Sequence, residues 1–309
     1  MISEAIVEKI CIQTPGATVT GTLIRAPAPR LAVLINAATG VQASFYAPFA
    51  QWLALERNAM VLIWDYRDFG ASGRVKRSTA TMTDWGLHDA TAVRDWLCAR
   101  AGVLPVWVIG HSLGGMTMGF QPRTEHLERI ITVAAGFGHV TDHPWPFQAK
   151  AWLLWYLLGP MGIALRGYLP GKALGLGNDL PSGVFWQWRR WLLDQRGVGG
   201  DPDFGGIRNP GFSGLVTCVA FRDDHMIPPH AVRRMAAGFP GARVEQRLID
   251  PADHGLESIG HIHAFAPRNR AIWPYLIAGF GALFLCMASI SFQAVKAANA
   301  NPVTNLRTE

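Results

Sequence analysis

Short apolar runs rich in Val, Ile and Leu recur along this chain, separated by stretches long enough for helices. LAVLIN (31–36) is followed by SFYAPFAQWLALER (44–57), MVLIWD (60–65), MTDWGLHDATAVRDWLCARAG (82–102) and VWVIG (106–110). LERIITVAA (127–135), LVTCVAF (215–221) and ARVEQRL (242–248) extend the series. Most of these runs have no polar face to turn toward water, so they predict an α/β fold: a mostly parallel central sheet with helices on both faces. Residues 1–25, with IVEKICIQT and ATVTGTLIR, read as an antiparallel pair leading into that sheet.

The alternation breaks between His139 and Asp203. This stretch contains Trp145, Trp152, Trp155, Trp186, Trp188 and Trp191, half of the chain's 12 tryptophans, and no convincing strand. It predicts a helical, Trp-rich cap at 139–205 inserted into a discontinuous core, 1–138 and 206–285, with an apolar extension and tail at 286–309. Between Pro144 and Leu193 the charges are Lys150, Arg166, Lys172, Arg189 and Arg190 against Asp179 alone. Such a lid predicts an apolar pocket with a cationic rim; the competing reading is that the tryptophans only hold a small cap together.

With 50% hydrophobic and 16% charged residues, the chain is not a disordered one. Its net charge of +6 is spread without a basic run, which argues against nucleic acid as a partner. Cys11, Cys98, Cys218 and Cys286 form no C-x-x-C pair, so neither a zinc site nor a disulfide framework is expected, and a reducing, cytoplasmic setting fits. Glu4 and Glu8 stand where a signal peptide would be apolar. The uncharged run 271–295 exceeds the roughly 20 residues that span a bilayer. Either it begins with a helix buried against the sheet and ends in a loose tail, or it associates with a membrane.

The strand VWVIG ends in Gly110-His111-Ser112-Leu113-Gly114-Gly115, and a helix is expected to follow. Glycines at 110 and 114 remove the Cβ atoms that would crowd a sharp strand-to-helix turn, the setting of a nucleophilic serine. A capping serine in a plain turn is the bland alternative. A serine hydroxyl needs a histidine to accept its proton and a carboxylate to orient that histidine. LVTCVAF runs into RDDHMIPP, offering Asp223 and Asp224, and ARVEQRL runs into IDPADHGLESIGHIHAF, offering His254, His261 and His263.

On these residues, in the order Ser, Asp, His, the sequence resembles the α/β-hydrolase superfamily over roughly 30–275, near bacterial serine aminopeptidase-like and monoacylglycerol-lipase-like hydrolases. WDYRDFGASG (64–73), DWGLHDATAVRDWL (84–97) and LGLGNDLPSGV (174–184) carry the likeness further, with Asp68 where that group usually has Gly. The resemblance implies an α/β-hydrolase fold and a triad of Ser112, Asp224 (four residues before Pro228) and His261 (in a Gly-His context before the last helix), with His254 as the second choice. His225, His230 and His263 read as loop or surface residues. It also implies an oxyanion hole from the backbone N–H groups of Leu113 and of Ala38, with Thr39 the alternative.

The function that follows is cofactor-free, metal-free cleavage of a small-molecule carboxylic ester with a hydrophobic acyl or alcohol part. Thioesterase and acyltransferase activities use the same acyl-enzyme, and a binding protein that keeps the fold is the non-catalytic alternative. The absence of glutamate between Arg129 and Val244 makes an aminopeptidase, which must hold an ammonium group, the weaker choice.

Overall fold

The structure, a computed structural model, describes residues 4–204 and 212–278. The predicted antiparallel pair is β1 (Ile6–Thr14) and β2 (Ala17–Arg25). There follow β3 (Leu31–Asn36), α1 (Ala47–Glu56), β4 (Ala59–Trp64) and α2 (Ala90–Ala101), the last entered through a π-helical turn at Asp84–Asp89. Next come β5 (Val106–His111), the four-residue α3 (Leu113–Met116) and β6 (Arg129–Val133). α4 (Phe147–Leu153) and α5 (Gly159–Arg166) are joined by a π-helical turn, Leu154–Leu158. A small pair, β7 (Tyr168–Leu169) and β8 (Leu180–Pro181), precedes α6 (Ser182–Leu193). β9 (Leu215–Phe221), α7 (Pro229–Ala236), β10 (Arg243–Ile249) and α8 (Trp273–Ile277) complete the described elements.

Eight strands form one sheet in the order β1-β2-β4-β3-β5-β6-β9-β10, parallel from β4 to β10. Burial follows the sequence pattern. All six residues of β3 and all six of β4 are buried, as uniformly apolar central strands require, whereas the edge strand β10 alternates between exposed and buried positions. The register pairs Asn36 with Gly110 and His111 with Val133, so the carboxyl ends of neighbouring strands emerge at one level. Loops leaving that edge are brought together, which is where parallel sheets of this kind place ligands.

The helix expected after Ser112 is present as a single turn, α3, continued by a 3-10 turn at Met118–Phe120. One expectation needs correction: the segment 139–203 contains the β7/β8 pair where no strand was expected. That pair follows from main-chain groups in a loop-rich segment finding partners in each other. Asp68, by contrast, explains itself: its φ is 57°, a left-handed conformation natural to Gly and more tolerable to Asp than to most side chains. Its carboxylate accepts the Ser78 hydroxyl at 2.7 Å, which ties the loop down.

The first part of the run 271–295 packs on the sheet. Trp273, Leu276 and Ile277 are buried, and Arg129 of β6 donates to the carbonyls of Ile277 (2.7 Å) and Ala278 (2.9 Å). A cation at these carbonyls complements the partial negative charge of a helix end. Burial and the neighbouring charge of Arg247 lower the Arg129 pKa to about 10. The rest of that run, and the extension 286–309, lie outside the described residues. Among the described residues no helix is long and apolar enough to cross a membrane.

Candidate active site

Ser112 sits at the end of β5 with φ 50° and ψ −115°, a strained conformation for a residue with a side chain. The glycines around it permit the turn. A Cβ on Gly110 would overlap the backbone of Gly114 and Gly115, and one on Gly114 would overlap the backbone of Asn36. β3, β5 and α3 can therefore approach to contact distance, and the hydroxyl is lifted off the sheet edge.

The loops after β9 and β10 supply its partners. His261 Nε2 lies 2.9 Å from Ser112 Oγ, and His261 Nδ1 lies 2.8 Å from Asp224 Oδ2. A carboxylate only accepts, so Nδ1 carries the proton and Nε2 is left to accept from the serine hydroxyl. The other oxygen, Asp224 Oδ1, accepts the N–H groups of Met226 (2.8 Å) and Ile227 (2.9 Å), which fixes the carboxylate in its buried position. His254 stands apart from this line, packed edge-on against Tyr275 with ring centroids 4.4 Å apart.

Asp223, set aside in favour of its neighbour, has a different task. Its Oδ2 accepts the N–H groups of Ile259 (2.8 Å) and Gly260 (2.9 Å), the two residues before His261. Adjacent aspartates thus hold the histidine in two ways: one orients the ring and the other its backbone.

In the loop after β3, the two residues considered as oxyanion donors differ in whether their N–H is already engaged. The Ala38 N–H is donated to Tyr46 Oη at 2.9 Å, so it is spoken for. Thr39 lines the cavity beside Ser112 and Leu113, and among the described residues its N–H and that of Leu113 have no hydrogen-bond partner. Of the two expected donors, Ala38 and its alternative Thr39, only Thr39 has its N–H unengaged.

Ala38 begins a buried chain that the sequence did not reveal. Tyr46 Oη lies 2.7 Å from His111 Nδ1, and His111 Nε2 lies 2.8 Å from the carbonyl of His261. Because a carbonyl only accepts, Nε2 holds the His111 proton and Tyr46 donates to Nδ1. Burial, reinforced by the nearby His261, lowers the His111 pKa to about 3, which keeps the ring neutral. Burial raises the Tyr46 pKa and keeps its hydroxyl protonated. The chain links the oxyanion loop, the residue before Ser112, and the residue that faces Ser112.

A cavity of about 410 Å³ opens from Ser112 into the segment between β6 and β9, within the range of small-molecule sites. Its lining includes Trp155, Trp188 and Trp191, and its few polar side chains include Thr39, His143 and Lys150. Three of the six tryptophans of the segment 139–203 therefore face the cavity; Trp145, Trp152 and Trp186 are exposed. The cationic rim reduces to Lys150 at the cavity itself. Among the described residues no group of three or more His, Cys, Asp or Glu side chains could hold a metal ion.

The fold is shared with solved structures of low sequence identity. Est1E from Butyrivibrio proteoclasticus, solved with ferulic acid, is 14% identical with a TM-score of 0.55, over 86% of this chain and 96% of that one. An esterase from Pyrococcus furiosus is 15% identical with a TM-score of 0.54, over 88% of each chain. Est816, described as an N-acyl homoserine lactone degrading enzyme, is 16% identical with a TM-score of 0.56, over 88% and 100%. No curated protein matches the sequence. The profile of the alpha/beta hydrolase family, however, matches residues 32–269, more than three quarters of the chain. On that match, and on the sheet and elbow that accompany it, the chain belongs to the alpha/beta hydrolase family.

Proposed function

We propose that the protein is a serine esterase that cleaves carboxylic esters carrying a hydrophobic acyl group. The reading rests on the hydrogen-bonded line Asp224–His261–Ser112 ending at an apolar cavity. Ser112 Oγ attacks the ester carbonyl carbon while His261 Nε2 takes its proton, and Asp224 stabilises the imidazolium so formed. The carbonyl oxygen becomes an oxyanion at the N–H groups of Leu113 and Thr39. As the tetrahedral intermediate collapses, the C–O bond to the alcohol breaks and His261 returns the proton to the departing oxygen. Water, deprotonated by His261, then attacks the acyl-Ser112 ester; the bond from the carbonyl carbon to Ser112 Oγ breaks, His261 returns the proton to Oγ, and the acid is released.

The cavity wall favours a hydrocarbon chain over a polar substituent. Each methylene buried there adds about 0.8 kcal/mol, near fourfold in affinity, until the cavity is full. p-Nitrophenyl esters of increasing acyl length test this reading: kcat/KM rises with length from acetate and then levels. A flat or falling series excludes the hydrophobic acyl assignment, and a Ser112→Ala protein that keeps the activity excludes the mechanism.

A further inference from the structure

The cap presents an apolar surface outward as well as inward. From Phe147 to Arg166 the chain is continuously helical, through α4, the π-helical turn and α5, roughly 30 Å at 1.5 Å per residue. Ala151, Trp155 and Gly159, four apart, are buried. Leu153, Leu157, Met161 and Leu165, also four apart, form an exposed stripe, with Leu165 at 81% exposure. Trp152 and Tyr156 stack beside this stripe with ring centroids 5.2 Å apart, and both are exposed. An apolar helix face this long, left in water, marks an interaction surface.

Charge and composition specify what covers it. No Asp or Glu occurs between Asp142 and Asp179, whereas Lys150, Arg166 and Lys172 are exposed there, and none of the three has an ion-pair partner among the described residues. Arg189 lies over the Tyr156 ring, 4.8 Å from its centroid, adding a cation beside the aromatic pair. Apolar stripe, interfacial Trp and Tyr, and flanking cations without acids are the features of a helix that lies in the headgroup layer of an anionic membrane. The cavity supplies the reason for such an arrangement. Leu153 and Leu158 are exposed and also line the cavity, so its mouth opens at the edge of the same face.

We propose that the helix Phe147–Arg166 docks the protein on anionic lipid surfaces, with its apolar stripe in the headgroup layer and the cavity mouth at the membrane. The surface is separate from the triad and is tested without turnover. The full-length chain is sedimented with vesicles of phosphatidylcholine alone and of phosphatidylcholine mixed with phosphatidylglycerol. Wild type binds the mixed vesicles, and Leu157→Glu/Leu165→Glu lowers its partition coefficient at least about tenfold. The double variant keeps wild-type thermal stability and wild-type hydrolysis of a short soluble ester, because neither leucine lines the cavity. Arg166→Gln and Lys172→Gln each weaken binding about fivefold on anionic vesicles only. Wild-type binding by the double variant overturns the proposal, since attachment then lies elsewhere on the chain. So does a wild type that ignores both vesicles and sediments as a dimer which Leu157→Glu/Leu165→Glu converts to monomer, because the covering partner is then a second copy.

Discussion

Tyr46→Phe removes one oxygen atom and tests whether the buried chain Ala38–Tyr46–His111–His261 matters. The ring is retained, so its edge-on contact with Phe265, ring centroids 5.1 Å apart, survives. The Ala38 N–H loses its acceptor and His111 Nδ1 loses its donor, in a region where Tyr46 and His111 are at most 1% exposed and water cannot substitute. Each orphaned group costs about 1–3 kcal/mol, so the variant loses about 2–6 kcal/mol of stability. At roughly 2–4 °C per kcal/mol for a domain of this size, Tm falls by about 4–24 °C. The second effect is kinetic. Ala38 adjoins Thr39, and His111 holds the carbonyl of His261, so both Thr39 and His261, the proposed oxyanion donor and base, lose a positional restraint. Displacements of this kind reduce rates by up to about 100-fold; we expect kcat to fall about 10- to 100-fold with KM within about twofold. Thermal unfolding and ester kinetics on the same preparation measure both. A variant with wild-type kcat and Tm refutes the assignment of any positioning role to the chain.

Asp223→Ala removes two charge-assisted hydrogen bonds to the backbone before His261, lowering stability by about 3–6 kcal/mol and kcat more than about tenfold. Asp223→Asn, whose amide oxygen still accepts both N–H groups, recovers most of kcat; equal losses in the two variants contradict a role through the backbone. His111 makes stability pH-dependent. Its folded pKa of about 3 lies below the unfolded value near 6.5, so the unfolded chain takes up a proton that the folded protein refuses. Stability from this residue is complete above about pH 6.5 and declines as pH falls, by up to about 1.4 kcal/mol per unit. Urea unfolding between pH 7 and 4 should show a shallower decline in His111→Gln, and parallel curves for the two proteins count against a buried neutral ring.

The sheet was legible because its strands are buried on both faces. LAVLIN and MVLIWD leave no polar position to misplace, and β3 and β4 follow those runs to within a residue. Ser112, Asp224 and His261, far apart in the chain, meet because each ends or follows a strand at the same sheet edge, and the element order carried that information. What escaped depended on atom-level partnering. Nothing in NAATG says which of two successive N–H groups Tyr46 engages, so Ala38 and Thr39 were interchangeable until the Tyr46 hydroxyl was located. His111 gave no signal beyond preceding the serine, and Asp223 looked redundant beside Asp224. The β7/β8 pair escaped because two-residue strands have no periodicity to detect. The tryptophans were visible as a cluster, but their division into inward and outward sets depends on helical phase, from Phe147 to Arg166 for Trp152 and Trp155 and along α6 for Trp186, Trp188 and Trp191, which a count of aromatic residues does not contain.

The central claim is that Ser112 is a nucleophile activated by His261. Reaction of the purified protein with a fluorophosphonate, followed by intact-mass and peptide mass spectrometry, tests it most directly. The account predicts one covalent adduct per chain, mapped to Ser112, that is absent in Ser112→Ala and slowed at least about 1,000-fold in His261→Ala. No adduct under conditions that label known esterases, an adduct on another residue, or wild-type labelling of His261→Ala would contradict it.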